Sequence, residues 1–181
     1  MAAKSYALSF EGYWREPNIS GLPAKSGIYG VYACTFNTQE KTVSINRLLY
    51  IGEGADVQAR VAGHEKWPDW KRQLKQGEAL CLNAALISPE ADRQRAEAAM
   101  IFKYKPPCNT EYVENFPFDI TTITTSGKNT LMQPSFTVNR TVTGAKVWVT
   151  LIFSLRRFGG MDSYASYAAA CHPFRAEPCR A

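Results

Sequence analysis

The chain has 181 residues, 45% of them hydrophobic and 20% charged, which suits one folded domain with an appendage and excludes wholesale disorder. Lys and Arg number 21 against 16 Asp and Glu, a formal charge of +5. The excess is shared between residues 1–110 and 111–181, so there is no basic tail, and a polyanionic partner would have to meet a patch made by folding. The N-terminus lacks the apolar run of a secretory signal, and the longest apolar stretch, Val147 to Phe153, is too short to span a bilayer. The five cysteines form no CxxC spacing. Cys34 and Cys81 sit in strand-like runs and read as small buried hydrophobes, and Cys171, His172 and Cys179 lack a second pair of zinc ligands. A reducing cytoplasm and no membrane fit these features.

Residues 1–21 read as a lead-in carrying Phe10, Tyr13 and Trp14 and ending in the turn-rich Pro17–Gly21. Gly27 to Cys34 (GIYGVYAC) is β-branched and aromatic and predicts a strand; after a polar loop, Ser44 to Ile51 predicts a second, antiparallel to it. Gly52-Glu53-Gly54 breaks that strand, and Asp56 opens a helical run over 55–65. Arg60 and His64, four residues apart, would share one face of this helix. A second helix is predicted over Trp67–Gln76, basic through Lys66, Lys71, Arg72 and Lys75, and a third strand over Ala79–Ile87. Ser88 as cap, Pro89 at the first helical position and the acids Glu90 and Asp92 predict a helix to about Lys103, stopped by Pro106-Pro107. Beyond Asn109, strands are predicted over 116–124, Ser135–Val138 and Lys146–Ser154. A poorly patterned tail over 156–181 follows, with Tyr164, Tyr167 and Ala168 its only core-like residues.

Six residues in this order draw attention: Tyr29 in Gly27-Ile28-Tyr29, Tyr50 in Tyr50-Ile51-Gly52, Arg60, His64, Glu97 and Asn109. Singly, each has an ordinary structural explanation as packing residue or solvated helix side chain. As an ordered set, the string GIY, then YIG, then the helix Arg, the helix Glu and the terminal Asn resembles the GIY-YIG nuclease superfamily. The resemblance covers residues 22–110. It implies an α/β (α+β) core with a small, three-stranded, mainly antiparallel sheet flanked by helices; the strands predicted beyond Asn109 make residues 111–181 a β-rich C-terminal extension to that core.

The resemblance further implies hydrolysis of DNA phosphodiesters with one divalent cation, Mg²⁺ or Mn²⁺, for which Glu97 would be the sole protein ligand. Tyr50 would be the general base with Tyr29 beside it, the two roles being exchangeable. A phenol with an ordinary pKa near 10 needs assistance from positive charge for this task. Arg60 would hold the phosphate and stabilise transition-state charge. His64 would hydrogen-bond a tyrosine or a phosphate oxygen, and Asn109 would orient the tyrosines or the helix of Glu97. Where many relatives carry a Lys after YIG, this chain has Glu53-Gly54, leaving Lys25 or Arg47 as substitutes. Glu53 reads as a solvated turn residue or a second acidic contact. Lys66, Lys71, Arg72 and Lys75 are candidate DNA contacts. Trp67 and Trp70 either stack on an unpaired base or pack in the core. Residues 111–181 are left with three roles: completing the sheet, forming a homodimer or reading DNA. A DNA- or partner-binding domain that has lost catalysis, and a nuclease acting on single-stranded DNA or RNA, are the alternatives.

Overall fold

Gly27–Asn37 forms β2, a strand whose first eight residues are all buried. Such continuous burial requires cover on both faces, and its alternating side chains feed two separate apolar layers. Ile28 and Tyr32 belong to one layer; Tyr29, Val31 and Ala33 belong to the other. The hairpin partner β3, Thr42–Gly54, pairs antiparallel so that Tyr29 faces Gly52 and Val31 faces Tyr50. On the opposite side of β2 runs β4, Ala79–Leu86, also antiparallel. These three strands match the predicted ones to within a few residues.

The sheet does not stop at three strands. Lys4–Arg15 forms β1, Thr121–Gly127 forms β5 and Ser135–Val138 forms β6, giving six strands in the order β3-β2-β4-β1-β5-β6. The stretch read as a lead-in is thus an interior strand, antiparallel to β4 and parallel to β5. Its alternation is plain in retrospect: Leu8 and Phe10 are buried while Ser9 and Glu11 are exposed. The strand predicted over 116–124 begins later, at Thr121, and β6 has the predicted bounds. Of the expected roles for the extension, its described part takes that of adding strands to the sheet.

The helix α3, Glu90–Tyr104, covers one face, packing Ala96, Ala99 and Met100 among Leu8, Phe10, Ile28, Ile51 and Ile123. The other face is covered by a 3-10 stretch, Glu16–Gly21, and two short helices, α1 (Val57–Ala62) and α2 (Trp67–Arg72), whose Val57, Val61 and Trp70 meet Tyr29, Leu49 and Leu82. Fully buried aliphatic side chains such as Ile28, Ile51 and Leu82 each contribute about 1.5–3 kcal/mol relative to exposure. Asp56 caps α1 rather than lying inside it, its Oδ1 accepting from the Ala59 N–H at 2.9 Å. Ser88 makes no cap bond to α3; Pro89 occupies the capping position, and Lys105 in the left-handed region ends the helix.

The structure, a computed structural model, describes residues 2–141. The strand expected over 146–154, the tail with Tyr164, Tyr167 and Ala168, and the Cys171, His172 and Cys179 group lie outside the described residues. Cys34, Cys81 and Cys108 are free and buried. Among the described residues no helix is long and apolar enough to cross a membrane.

Candidate active site

The end of β3 carries Tyr50-Ile51-Gly52-Glu53-Gly54 against the start of β2. Because Gly52 stands opposite Tyr29, the Tyr29 ring can lie across the strand: a Cβ on residue 52 would come within 2.5 Å of the Tyr29 hydroxyl and 2.7 Å of the Tyr50 ring. The glycine of the second tripeptide is therefore required by close approach of both tyrosines. Their ring centroids are 6.2 Å apart. Tyr29 is wholly buried and its hydroxyl has no hydrogen-bond partner among the described residues, whereas Tyr50 retains 8% exposure at the floor of a cleft. Burial, more than any neighbour, pushes both phenols up, Tyr50 to about 12, with the carboxyl of Glu97 adding to the effect and Arg60 opposing it.

β3 is an edge strand, and the segment after Pro106-Pro107 satisfies that edge. The Cys108 N–H donates to the Leu49 carbonyl at 3.0 Å. The Asn109 side chain then imitates the next residue of a paired strand: its Oδ1 accepts from the Ile51 N–H at 2.9 Å and its Nδ2 donates to the Ile51 carbonyl at 2.8 Å. Asn109 thus fixes the backbone between Tyr50 and Gly52.

The cleft has a volume of about 270 Å³ and is lined by Tyr50, Arg60, Glu97 and Asn109, together with Glu53, Glu65, Lys66 and Thr110–Tyr112. Four of the six residues expected at the site thus share one cavity; Tyr29 and His64 stand behind Tyr50. Glu97 projects from the middle of α3. Its carboxyl makes no hydrogen bond or ion pair among the described residues. It is pushed up to about 8, first by burial and then by the carboxylates of Glu53 and Glu111, with Arg60 and Arg93 only partly offsetting them. Glu53 is not a solvated turn residue: it lies in β3 and lines the cleft with Glu97, and its carboxylate is ion-paired with Arg93, which is nearly buried and also donates to Ser26 Oγ at 2.9 Å. Arg47 cannot replace the absent Lys, since its guanidinium is bound to Glu78 and to the Gln73 carbonyl.

The shared helix face expected for Arg60 and His64 is absent. α1 ends at Ala62, one residue before its cap Gly63, so His64 lies beyond the helix in a turn. Arg60 points into the cleft, its Nη1 and Nη2 donating to the two carboxylate oxygens of Glu65 at 3.1 and 3.3 Å. His64 turns inward, 5.3 Å from the Tyr50 ring and 4.6 Å from Trp70 between centroids. Its Nδ1 accepts from the Lys66 N–H at 3.0 Å, which leaves the proton of the neutral ring on Nε2. Burial, then the charge of Arg60, holds its pKa down at about 4. No hydrogen bond joins it to either tyrosine.

Of the basic residues expected to contact DNA, Lys66 lines the cleft. Lys71 is paired with Glu16 at 2.7 Å, Arg72 with Asp69, and Lys75 is exposed outside the cleft. Trp70 is completely buried against Tyr50 and His64, so it packs in the core and is no stacking platform. Trp67 packs on Trp70 and donates its indole N–H to the Val61 carbonyl at 2.8 Å. The sequence did not reveal Glu65, Glu111 or the pairing role of Arg93. Only the placing of Arg93 one helical turn before Glu97 hinted at a shared face.

Over 88 residues, 49% of this chain, the sequence is 34% identical to the UvrABC system protein C of Fervidobacterium nodosum. The chain spans 14% of that protein's length. No protein-family model matches the chain, and no solved structure matches it at significance.

Proposed function

We propose that the protein is an endonuclease of the GIY-YIG type that hydrolyses DNA phosphodiester bonds with one divalent cation. The observation that carries this reading is the meeting of Tyr50, Arg60, Glu97 and Asn109, drawn from separate parts of the chain, in one cleft whose backbone is pinned at the YIG tripeptide. The partial similarity to a component of the UvrABC system supports it. A phosphodiester seated on the Arg60 fork would lie beside Tyr50 and Glu97, in a position where the guanidinium can follow charge developing on the phosphoryl oxygens. Tyr50 is the only phenol lining the cleft floor from the tripeptide pair, and so takes the role of base for the attacking water. Tyr29, dry and packed across Gly52, holds the Tyr50 ring in place.

The donor set fits a hard cation. Glu97 is a half-buried carboxyl with no hydrogen-bond or ion-pair partner among the described residues, and Glu53 and Glu111 act on it more strongly than Arg60 and Arg93. No cluster of three metal-ligating side chains occurs among the described residues. That combination suits Mg²⁺ or Mn²⁺, which take one or two carboxylates and fill the remaining positions with water and phosphate, and does not suit zinc. When bound, the cation would supply Lewis-acid polarisation of the scissile phosphate and stabilise the leaving oxygen. Neutralising Glu97 would also remove the carboxylate that contributes most, after burial, to holding Tyr50 protonated.

A second reading, a nucleic-acid-binding domain without catalysis, is favoured by the Glu53–Arg93 pair standing where a free Lys would assist Tyr50. Incubation with duplex, single-stranded and branched DNA and with RNA, in Mg²⁺ or EDTA, separates the two. The nuclease reading expects Mg²⁺-dependent cleavage that Glu97→Gln, Arg60→Ala or Tyr50→Phe abolishes. Salt-dependent binding without cleavage of any substrate would establish the second reading instead, and the substrate cut will decide between DNA and RNA.

A further inference from the structure

Arg60 already holds an anion. Both terminal nitrogens of its guanidinium donate to Glu65, one to each carboxylate oxygen, at 3.1 and 3.3 Å. Two oxygens on one fork is also the way an arginine takes a phosphate. Among the described residues the Arg60 side chain makes no other hydrogen bond, and both members of the pair line the cleft of Tyr50 and Glu97.

The placing of Glu65 is set by the local fold. Gly63 and His64 close the end of α1 through N–H bonds to the Ala59 and Val61 carbonyls at 3.3 and 3.2 Å. The buried His64 ring then accepts from the Lys66 N–H, and Trp67 ties the start of α2 back to Val61. Residues 63–67 therefore form a turn anchored from below on both sides of Glu65. Its side chain faces outward, 64% exposed, over an Arg60 side chain that is 42% exposed. Lys66, adjacent in the same turn, reaches the cleft as an unanswered cation among the described residues.

We propose that Glu65 is an internal substitute for the substrate phosphate, and that a phosphodiester enters the site by displacing the Glu65 carboxylate from Arg60. The proposal rests on the reading of Arg60 as a phosphate clamp. An exposed pair of this kind is weak enough to open readily, so the carboxylate can leave to water while the guanidinium is kept pre-oriented until substrate arrives. The cost falls on affinity: each phosphate bound must break one ion pair, and the released carboxylate stays close to the new anion.

Titration of the isotope-labelled full chain with inorganic phosphate at low salt, following the Arg60 Nε–H resonance, tests the exchange without depending on cleavage or on any nucleic acid. In Glu65→Gln, half-saturation should occur at a phosphate concentration about two- to fivefold lower than in the wild type, the range expected for losing an exposed pair. Glu65→Asp, whose shorter side chain cannot keep both contacts, should fall between. Equal midpoints in the three proteins, or an Arg60 resonance that phosphate moves in none of them, would overturn the proposal. Binding of labelled oligonucleotides in EDTA tests the wider reading separately. If Glu65→Gln tightens phosphate but no protein binds DNA or RNA, the exchange stands and the nucleic-acid function falls.

Discussion

Replacing Glu97 by Gln should stabilise the metal-free protein while abolishing its proposed activity, and the two effects have one cause. Burial together with Glu53 and Glu111 raises the Glu97 carboxyl from an ordinary 4.5 to about 8. A folded-state value above the unfolded one means that the folded protein binds the proton more tightly. The associated stability is therefore complete below about pH 4.5 and lost as pH rises to about 8. At about 1.4 kcal/mol for each pH step, that interval sets an upper bound of about 5 kcal/mol. Solvent at the cleft mouth reduces the expected loss to about 2–3 kcal/mol. Gln cannot ionise and loses none of it. Urea denaturation in EDTA should find Glu97→Gln nearly equal to the wild type at pH 5 and about 2–3 kcal/mol more stable at pH 8.5. Because the comparison is a difference, the opposing titration of His64, which costs stability as pH falls from 6.5 through about 4, cancels. Adding Mg²⁺ at pH 8.5 should stabilise the wild type alone. An advantage of the variant that is the same at both pH values would refute the electrostatic argument.

Gly52→Ala places a Cβ 2.5 Å from the Tyr29 hydroxyl; overpacking of this kind costs about 1–3 kcal/mol, and thermal denaturation should show it alongside a fall in cleavage of at least about tenfold. Asn109→Ala leaves the N–H and carbonyl of the buried Ile51 unpaired, at about 1–3 kcal/mol each. Asn109→Asp, keeping the acceptor and losing the donor, should sit between it and the wild type in urea denaturation. Deletion of residues 1–15 removes a strand lying between β4 and β5; circular dichroism should show that the shortened chain does not fold, and a soluble, cooperatively unfolding product would show that β1 is dispensable.

The strands β2, β3, β4 and β6 were legible through their apolar runs and the helix α3 through the prolines around it, Pro89 and Pro106-Pro107; Gly52-Glu53-Gly54, read as a break, instead continues β3 in register with Gly27–Tyr29. β1 was hidden by its half-exposed pattern. Ser5, Ser9 and Glu11 point to solvent, so its core contribution rests on Leu8, Phe10 and the partly buried Tyr6, Tyr13 and Trp14, and it borrows most of its burial from neighbours far away in sequence. Nothing local announces that a strand will insert between β4 and β5. At the site, Tyr50, Arg60, Glu97 and Asn109 were legible through their order. His64 was misplaced because a four-residue spacing was read as one helix face, while Gly63 ends α1 just before it. The pairs Arg60–Glu65 and Arg93–Glu53 could not be read at all, because the choice of partner for a charged side chain depends on which elements the fold brings together.

Those pairs change what the net charge means. The chain carries +5, yet its cleft is lined by Glu53, Glu65, Glu97 and Glu111 against Arg60 and Lys66, with Arg93 behind Glu53. Two of the three cations are answered by carboxylates before any substrate arrives. A phosphodiester entering alone would add negative charge to a site that already leans negative, the same charge that, after burial, raises the Glu97 pKa. On the proposed function a dication would offset part of that charge, so cation and phosphate would each lower the cost of binding the other. Overall basicity can draw a polyanion toward the protein, but on the proposed function occupancy of this cleft would follow the coupling between a divalent cation and a phosphate group more than net charge.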